Sequence, residues 1–188
     1  MNGSAIVLAG GRGMRIGGAK AVAQLAGRPL VAHVVEAARA GKLAPIVVAK
    51  ADSVLPQLDC PIVIEPPEPT HPLLGIVTGL RALAGSAAVV CPTDMPLVTG
   101  ELLAWLASLD EPLAVVRAGG RIQPLLGRYA RGLLDALELE LAAAPSLTAL
   151  VTRLGARIVE EDELRPFGDP ARLLLNVNTA DDLANAEG

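Results

Sequence analysis

Residues 8–20 read LAGGRGMRIGGAK, and they follow directly on the apolar run that begins at Ser4. Glycines let a backbone approach a ligand closely, and their exposed N–H groups cradle phosphate oxygens. Arg12, Arg15 and Lys20 lie in the same segment. Their cations add charge-assisted hydrogen bonds to the same anion. A strand emptying into a basic glycine loop reads as a nucleotide phosphate site. The pattern is not a Walker A loop, because G-x-x-x-x-G-K-[ST] is absent. Nor does it meet the G-x-G-x-x-G spacing of a dinucleotide fingerprint.

Further runs of Val, Ile and Ala occur at 45–49, 62–65 and 87–91. Each reads as a strand buried on both faces. Helical patterns separate them. One spans 29–40, with Pro29 at a first helical position and Gly41 closing it, and another spans 73–83. Such alternation implies a parallel sheet between two helical layers. Beyond it, a helix is expected over 99–109. Strands are expected at 113–116 and 122–129 around the Gly119-Gly120 turn. Helices are expected over 131–143 and 146–154, split at Pro145 with Ser146 as N-cap. A strand at 156–159 follows. Residues 173–175 lead into an extended Asn176-Val177-Asn178, and Thr179 caps a last helix with Asp182 three residues on. Residues 66–72 carry four prolines and read as a stiff surface loop.

The chain has 188 residues, enough for one domain with a full core. Hydrophobic residues make up 52%, so a packed domain rather than disorder is expected. No apolar stretch approaches the roughly 20 residues of a membrane helix, and the start lacks the basic region of a signal peptide. A cytoplasmic protein without membrane attachment is expected. The net charge of −4 and the absence of a basic block argue against a nucleic-acid partner. Cys60 and Cys91 lack metal-ligand spacing and read as buried thiols.

Three groups of residues carry candidate chemistry besides the loop. Asp94 follows the apolar strand at 87–91. Ligands of open parallel sheets sit beyond the carboxyl ends of strands. A carboxylate there, near a phosphate loop, suits Mg²⁺, which takes one or two carboxylates plus substrate phosphates and water. The plainer reading is a turn or cap residue. Asn176 and Asn178 point the same way from an extended segment and offer both donors and acceptors; alternatively they only end that segment before the helix. Gln123 and Arg121 are candidates for a second substrate pocket. His33 reads as structural, and His71 sits in the proline loop. No Ser-His-Asp or Cys-His arrangement appears, so covalent catalysis is not expected.

In this order the motifs resemble the molybdenum cofactor guanylyltransferases of the nucleotidyltransferase superfamily. The resemblance runs through Leu8-Ala9-Gly10-Gly11 with Arg15 and Gly17-Gly18-x-Lys20. It continues through Gly27-Arg28-Pro29-Leu30 with His33 and Val34, Pro72-Leu73-Leu74-Gly75, Asp94-Met95-Pro96, Gln123-Pro124 with Tyr129, and Asn176-Val177-Asn178-Thr179. It departs from the family pattern at Ala19, Lys50, Pro66 and His71, where an acid, an Asn, an Asp and a Gly are common.

The resemblance implies a three-layer α/β sandwich with a mainly parallel, Rossmann-like sheet, similar to nucleotide-diphospho-sugar transferases. It implies a single domain over 1–188, nucleotide-binding in its N-terminal half and acceptor-binding in its C-terminal half. The implied reaction takes GTP and a molybdopterin-type cofactor to the guanine dinucleotide form and pyrophosphate. Leu8, Ala9, Gly10, Gly11, Arg12, Gly13, Lys20, Gly75 and Asp94 would hold the nucleotide. Arg15, Lys20 and Asp94 would act in catalysis, with Mg²⁺ on Asp94. Gln123, Asn176, Asn178 and Thr179 would face the acceptor. Contact with cofactor-synthesis or molybdoenzyme proteins is a further expectation. The alternatives are a CTP-using relative, one with a cobinamide-phosphate or phospholactate acceptor, and a non-catalytic nucleotide-binding partner protein.

Overall fold

The computed structural model describes residues 3–10 and 20–187. The chain runs β1 (Ser4–Leu8), a small hairpin of β2 (Gln24–Leu25) and β3 (Arg28–Pro29), α1 (Leu30–Ala40), β4 (Ala44–Ala49), β5 (Ile62–Ile64), α2 (Pro72–Ala82) and β6 (Ala87–Pro92). It continues through α3 (Gly100–Ser108), β7 (Leu113–Ala118), β8 (Arg121–Ala130), α4 (Leu134–Glu140), α5 (Leu147–Arg153) and β9 (Arg157–Val159). The short helices α6 (Glu161–Leu164) and α7 (Pro170–Leu173) precede α8 (Ala180–Glu187).

Side-chain alternation in β1 explains the layering. Ala5 and Val7 enter one apolar cluster with Val31, Val34 and Val35 of α1 and Leu102, Leu103 and Leu106 of α3. Ile6 enters the other, with Leu73, Ile76, Val77 and Leu80 of α2, Leu137 of α4 and Leu150 of α5. A strand with two apolar faces must be covered on both, which gives the three layers. α2 lies so close to β1 that a Cβ on Gly79 would fall 2.6 Å from Ile6 Cγ2.

The main sheet has the order β5-β4-β1-β6-β8-β7-β9. β4 and β6 pair with β1 in parallel on either side, and β5 pairs in parallel with β4. β8 is antiparallel to both β6 and β7, while β9 is parallel to β7. The exception has a local cause. Gly119 and Gly120 have φ of 53° and 71°, left-handed values that a two-residue hairpin turn requires. Such a turn joins only antiparallel neighbours. The sheet is therefore mainly parallel, as expected.

Four expectations are corrected. The region 131–143 is helical as α4 only over Leu134–Glu140, after a tight turn at Arg131–Leu133. Ser146 stands at the N-cap of α5, but its side chain makes no capping bond. β5 is not buried on both faces, because it is an edge strand of the sheet and leaves Ile62 and Ile64 exposed. Cys60 is half-buried and only Cys91 is fully buried. Thr179 does cap α8: its Oγ1 accepts from Asp182 N–H at 3.1 Å and its N–H donates to Asp182 Oδ2 at 2.8 Å. A third small core of Leu25, Leu30, Val177 and Ala186 ties this last segment to the β2–β3 hairpin. None of the helices among the described residues is long and apolar enough to cross a membrane.

Candidate functional site

β1 is where the sheet order reverses: the chain moves outward to β4 and β5 on one side and returns to β6 on the other. The crevice beyond the strand ends at such a reversal is the usual ligand position. Here the exits are stitched together by backbone bonds. Ala9 N–H donates to Val48 C=O at 2.8 Å, Thr93 N–H to Leu8 C=O at 3.2 Å, and Glu65 N–H to Ala49 C=O at 2.9 Å. Four strand ends thus deliver Gly10, Lys50, Glu65 and Asp94 to one edge.

A cavity of about 230 Å³ opens there, lined by Leu8, Gly10, Lys50, Glu65, Gly75 and Asp94 among others. Glu65 is its most buried charge, 8% exposed, and its Oε1 lies 3.4 Å from Lys50 Nζ. Burial of a carboxylate is tolerated only with such a partner. Both neighbouring glycines are packed against it. A Cβ on Gly10 would lie 3.3 Å from Glu65 Oε1, and one on Gly75 would lie 3.2 Å from Glu65 Oε2 and 3.1 Å from Leu8 Cδ2.

Thr70, His71 and Pro72 also line this cavity, so the end of the proline loop is one of its walls rather than only surface. His71 caps α2, its Nδ1 accepting from Leu73 N–H at 3.2 Å. His33 is structural: its Nε2 is 2.9 Å from Leu25 O.

Asp94 is half-buried at the exit of β6. Its carbonyl accepts from Val177 N–H at 2.7 Å, which fastens the Asn176–Asn178 segment beside it. Among the described residues no three His, Cys, Asp or Glu side chains form a metal cluster. Mg²⁺ does not need one, because substrate phosphates and water complete its shell. A hard carboxylate lining a cavity at the strand ends fits that ion. Burial, and then the negative charge of Asp94, push the Cys91 thiol well above its ordinary range. Cys91 is therefore a structural thiol rather than a nucleophile.

A second cavity of about 340 Å³ is lined by Ala118, Gly119, Gln123, Glu161, Leu174 and Asn176 among others. It brings together Gln123 and Asn176, which are 53 positions apart in sequence (176 minus 123). Tyr129 supports this region: its hydroxyl donates to Pro124 C=O at 2.6 Å, beside Gln123. Asn178 and Thr179 line neither of these two cavities. Gly11, Arg12, Gly13 and Arg15 lie outside the described residues, and for Lys20 only the backbone, opening a single turn at Lys20–Val22, is described. Glu65, Thr70 and Glu161 were not marked by sequence. For Glu65 a signal existed, since it is a carboxylate directly following an apolar run, as Asp94 is.

Residues 5–161 match the model of the MobA-like NTP transferase domain. A molybdenum cofactor guanylyltransferase of Cereibacter sphaeroides is 36% identical, covering 97% of this chain and 94% of its own. The structure is similar to that of a molybdopterin-guanine dinucleotide biosynthesis protein A from Archaeoglobus fulgidus, with a TM-score of 0.79, 24% identity and coverage of 98% and 96% of the two chains. It is also similar to a 2-C-methyl-D-erythritol 4-phosphate cytidylyltransferase from Thermus thermophilus, with a TM-score of 0.68, 21% identity and coverage of 100% and 98%. At these identities the two structural likenesses speak for the fold alone. The family match and the Cereibacter relative go further: the chain belongs to the MobA-like NTP transferases and is a nucleotidyltransferase.

Proposed function

We propose that this nucleotidyltransferase moves GMP from GTP to the phosphate of a molybdopterin-type cofactor, releasing pyrophosphate. The observation that carries the reading is the bond from Val177 N–H to Asp94 C=O. It ties the backbone that follows Asn176, a lining residue of the second cavity, to the backbone of Asp94, which lines the first. A nucleotide in the first cavity and an acceptor in the second then meet at Asp94. The N-terminal half binds the nucleotide and the C-terminal half binds the acceptor.

In this reading the glycine loop with Gly10, Gly11, Gly13, Arg12, Arg15 and Lys20 holds the triphosphate. An oxygen of the acceptor phosphate attacks the α-phosphorus, a new P–O bond forms, and the α–β anhydride bond breaks to release pyrophosphate. The attacking phosphate is already an anion, so no strong general base is required. Asp94 is the residue that would hold Mg²⁺. When bound, Mg²⁺ supplies charge neutralisation for the α-phosphate and the departing pyrophosphate. The chain's own contribution is positioning and fixed charge.

The test is thermal stabilisation by GTP, CTP, ATP and UTP, each with and without Mg²⁺, followed by pyrophosphate release with molybdopterin as acceptor. A ligand that binds only the native state raises its apparent stability. A selective, Mg²⁺-enhanced shift with GTP and acceptor-dependent pyrophosphate release are expected. A selective CTP shift would move the enzyme to cytidylyl transfer, and nucleotide binding without pyrophosphate release would make it a binding protein.

A further inference from the structure

We propose that the second cavity seats the pterin ring of the acceptor and that Glu161 reads the ring's 2-amino-4-oxo-pyrimidine edge. The inference rests on the acceptor proposed above and adds the subsite and the residue.

The cavity, of about 340 Å³, falls within the usual size range of small-molecule sites. Its wall is divided by chemistry. Pro170, Leu174 and Leu175 supply apolar surface, while Gln123, Glu161 and Asn176 supply polar groups. A flat heterocycle needs this division, with apolar contact for its faces and hydrogen bonds for its edge. The pterin edge presents a ring N–H beside an amino group, with a carbonyl next to them. A carboxylate accepts from two adjacent N–H donors at once, and a carboxamide donates to a carbonyl.

Glu161 is held in place by neighbours whose charges are already used. Glu160 and Glu163 form the capping box of α6, and they pair with Arg117 at 3.1 Å and Arg157 at 2.7 Å. Asp162 pairs with Arg165 at 2.8 Å. Glu161 forms no ion pair among the described residues. One of its oxygens, Oε1, accepts from Gly119 N–H at the β7–β8 turn. Its carboxylate therefore lines a cavity with no cation of the described residues within salt-bridge reach.

Guanine carries the same hydrogen-bonding edge as pterin, so GTP is the competing source of this chemistry. The first cavity, at the reversal of the sheet and lined by Gly10, is the one that suits the nucleotide.

The test uses the intrinsic fluorescence of free pterin, titrated with the full-length protein, with and without saturating Mg²⁺-GTP. Lumazine, with an oxo group in place of the 2-amino group, is the control ligand. Glu161→Gln is the main variant, because its amide oxygen still accepts from Gly119 N–H while the charge is removed. Gln123→Ala is the second. The expected result is quenching that persists under saturating GTP and binding weakened by at least about tenfold in Glu161→Gln and for lumazine, as for a site built on a specific hydrogen bond. In the transfer assay Glu161→Gln then raises KM for the acceptor, not for GTP. Displacement by GTP would move the pterin to the nucleotide cavity and overturn the assignment. Equal binding by wild type, Glu161→Gln and Gln123→Ala, or no quenching at millimolar ligand, would also overturn it. GTP stabilisation of the same wild-type preparation separates the two readings. Pterin bound without GTP overturns the guanylyl reaction and leaves the subsite, whereas GTP bound without pterin overturns the subsite alone.

Discussion

Lys50 Nζ lies 3.4 Å from Glu65 Oε1, joining the exits of two neighbouring parallel strands inside the first cavity. The pair exists because Glu65 N–H is bonded to Ala49 C=O at 2.9 Å, which brings the residue after β5 level with the residue after β4. Removal of the cation leaves a carboxylate only 8% exposed without its partner. Lys50→Met should therefore cost about 1–3 kcal/mol, the range for stranding a buried polar group. Urea unfolding measures this directly, and an unchanged midpoint would mean that cavity water solvates Glu65 adequately.

Gly79→Ala should destabilise the fold by about 1–3 kcal/mol despite the better helix propensity of Ala, because overpacking outweighs it. The new Cβ would lie 2.6 Å from Ile6 Cγ2, in the contact between α2 and β1. Thermal unfolding of Gly79→Ala alone and with Ile6→Val checks the cause, since the smaller partner should restore part of the loss.

Asp94→Ala should abolish Mg²⁺-dependent pyrophosphate release while the protein still unfolds cooperatively. Turnover that survives the substitution would remove the metal-holding role from Asp94.

Stability should fall above about pH 8.5, where free thiols and then, near pH 10, phenols ionise. Burial pushes Cys91 and Tyr129 above their ordinary ranges, with Asp94 adding to the effect on Cys91. Above the unfolded-state values the native state holds more protons than the unfolded state. Stability then declines with pH by up to about 1.4 kcal/mol per unit for each group. The contribution is fully present below about pH 8, under the free-thiol value, and is lost on the alkaline side. Urea titrations from pH 7 to 11, with Cys91→Ala as the comparison, should show a shallower decline in the variant.

Thr179→Ala should lower stability by about 1 kcal/mol through loss of an N-cap. Its hydroxyl is committed to Asp182 N–H at 3.1 Å. Thr179→Ser should recover most of that loss in the same denaturation assay.

Strand–helix alternation and the Gly119-Gly120 hairpin were legible in the sequence because both depend on local rules: short continuous runs of Val, Ile and Ala, helix punctuation and left-handed glycine φ. The position of Asp94 beyond a buried strand was legible for the same reason. The limits of 131–143 were not, since an amphipathic pattern does not say how far tertiary contacts extend a helix. The cavities depended on strand order, which brings together residues far apart in the chain. Only tertiary pairing set Lys50 against Glu65 and wedged that carboxylate between Gly10 and Gly75. Glu161 sits in an acidic tract that looks like a solvated helix start, and it became distinctive only because Arg117, Arg157 and Arg165 engage its neighbours. Local chemistry along the chain determined the elements and most of the candidate groups. Which of those groups share a cavity, and which carry unspent charge, was decided by long-range packing, because burial and electrostatic pairing are properties of the folded surface.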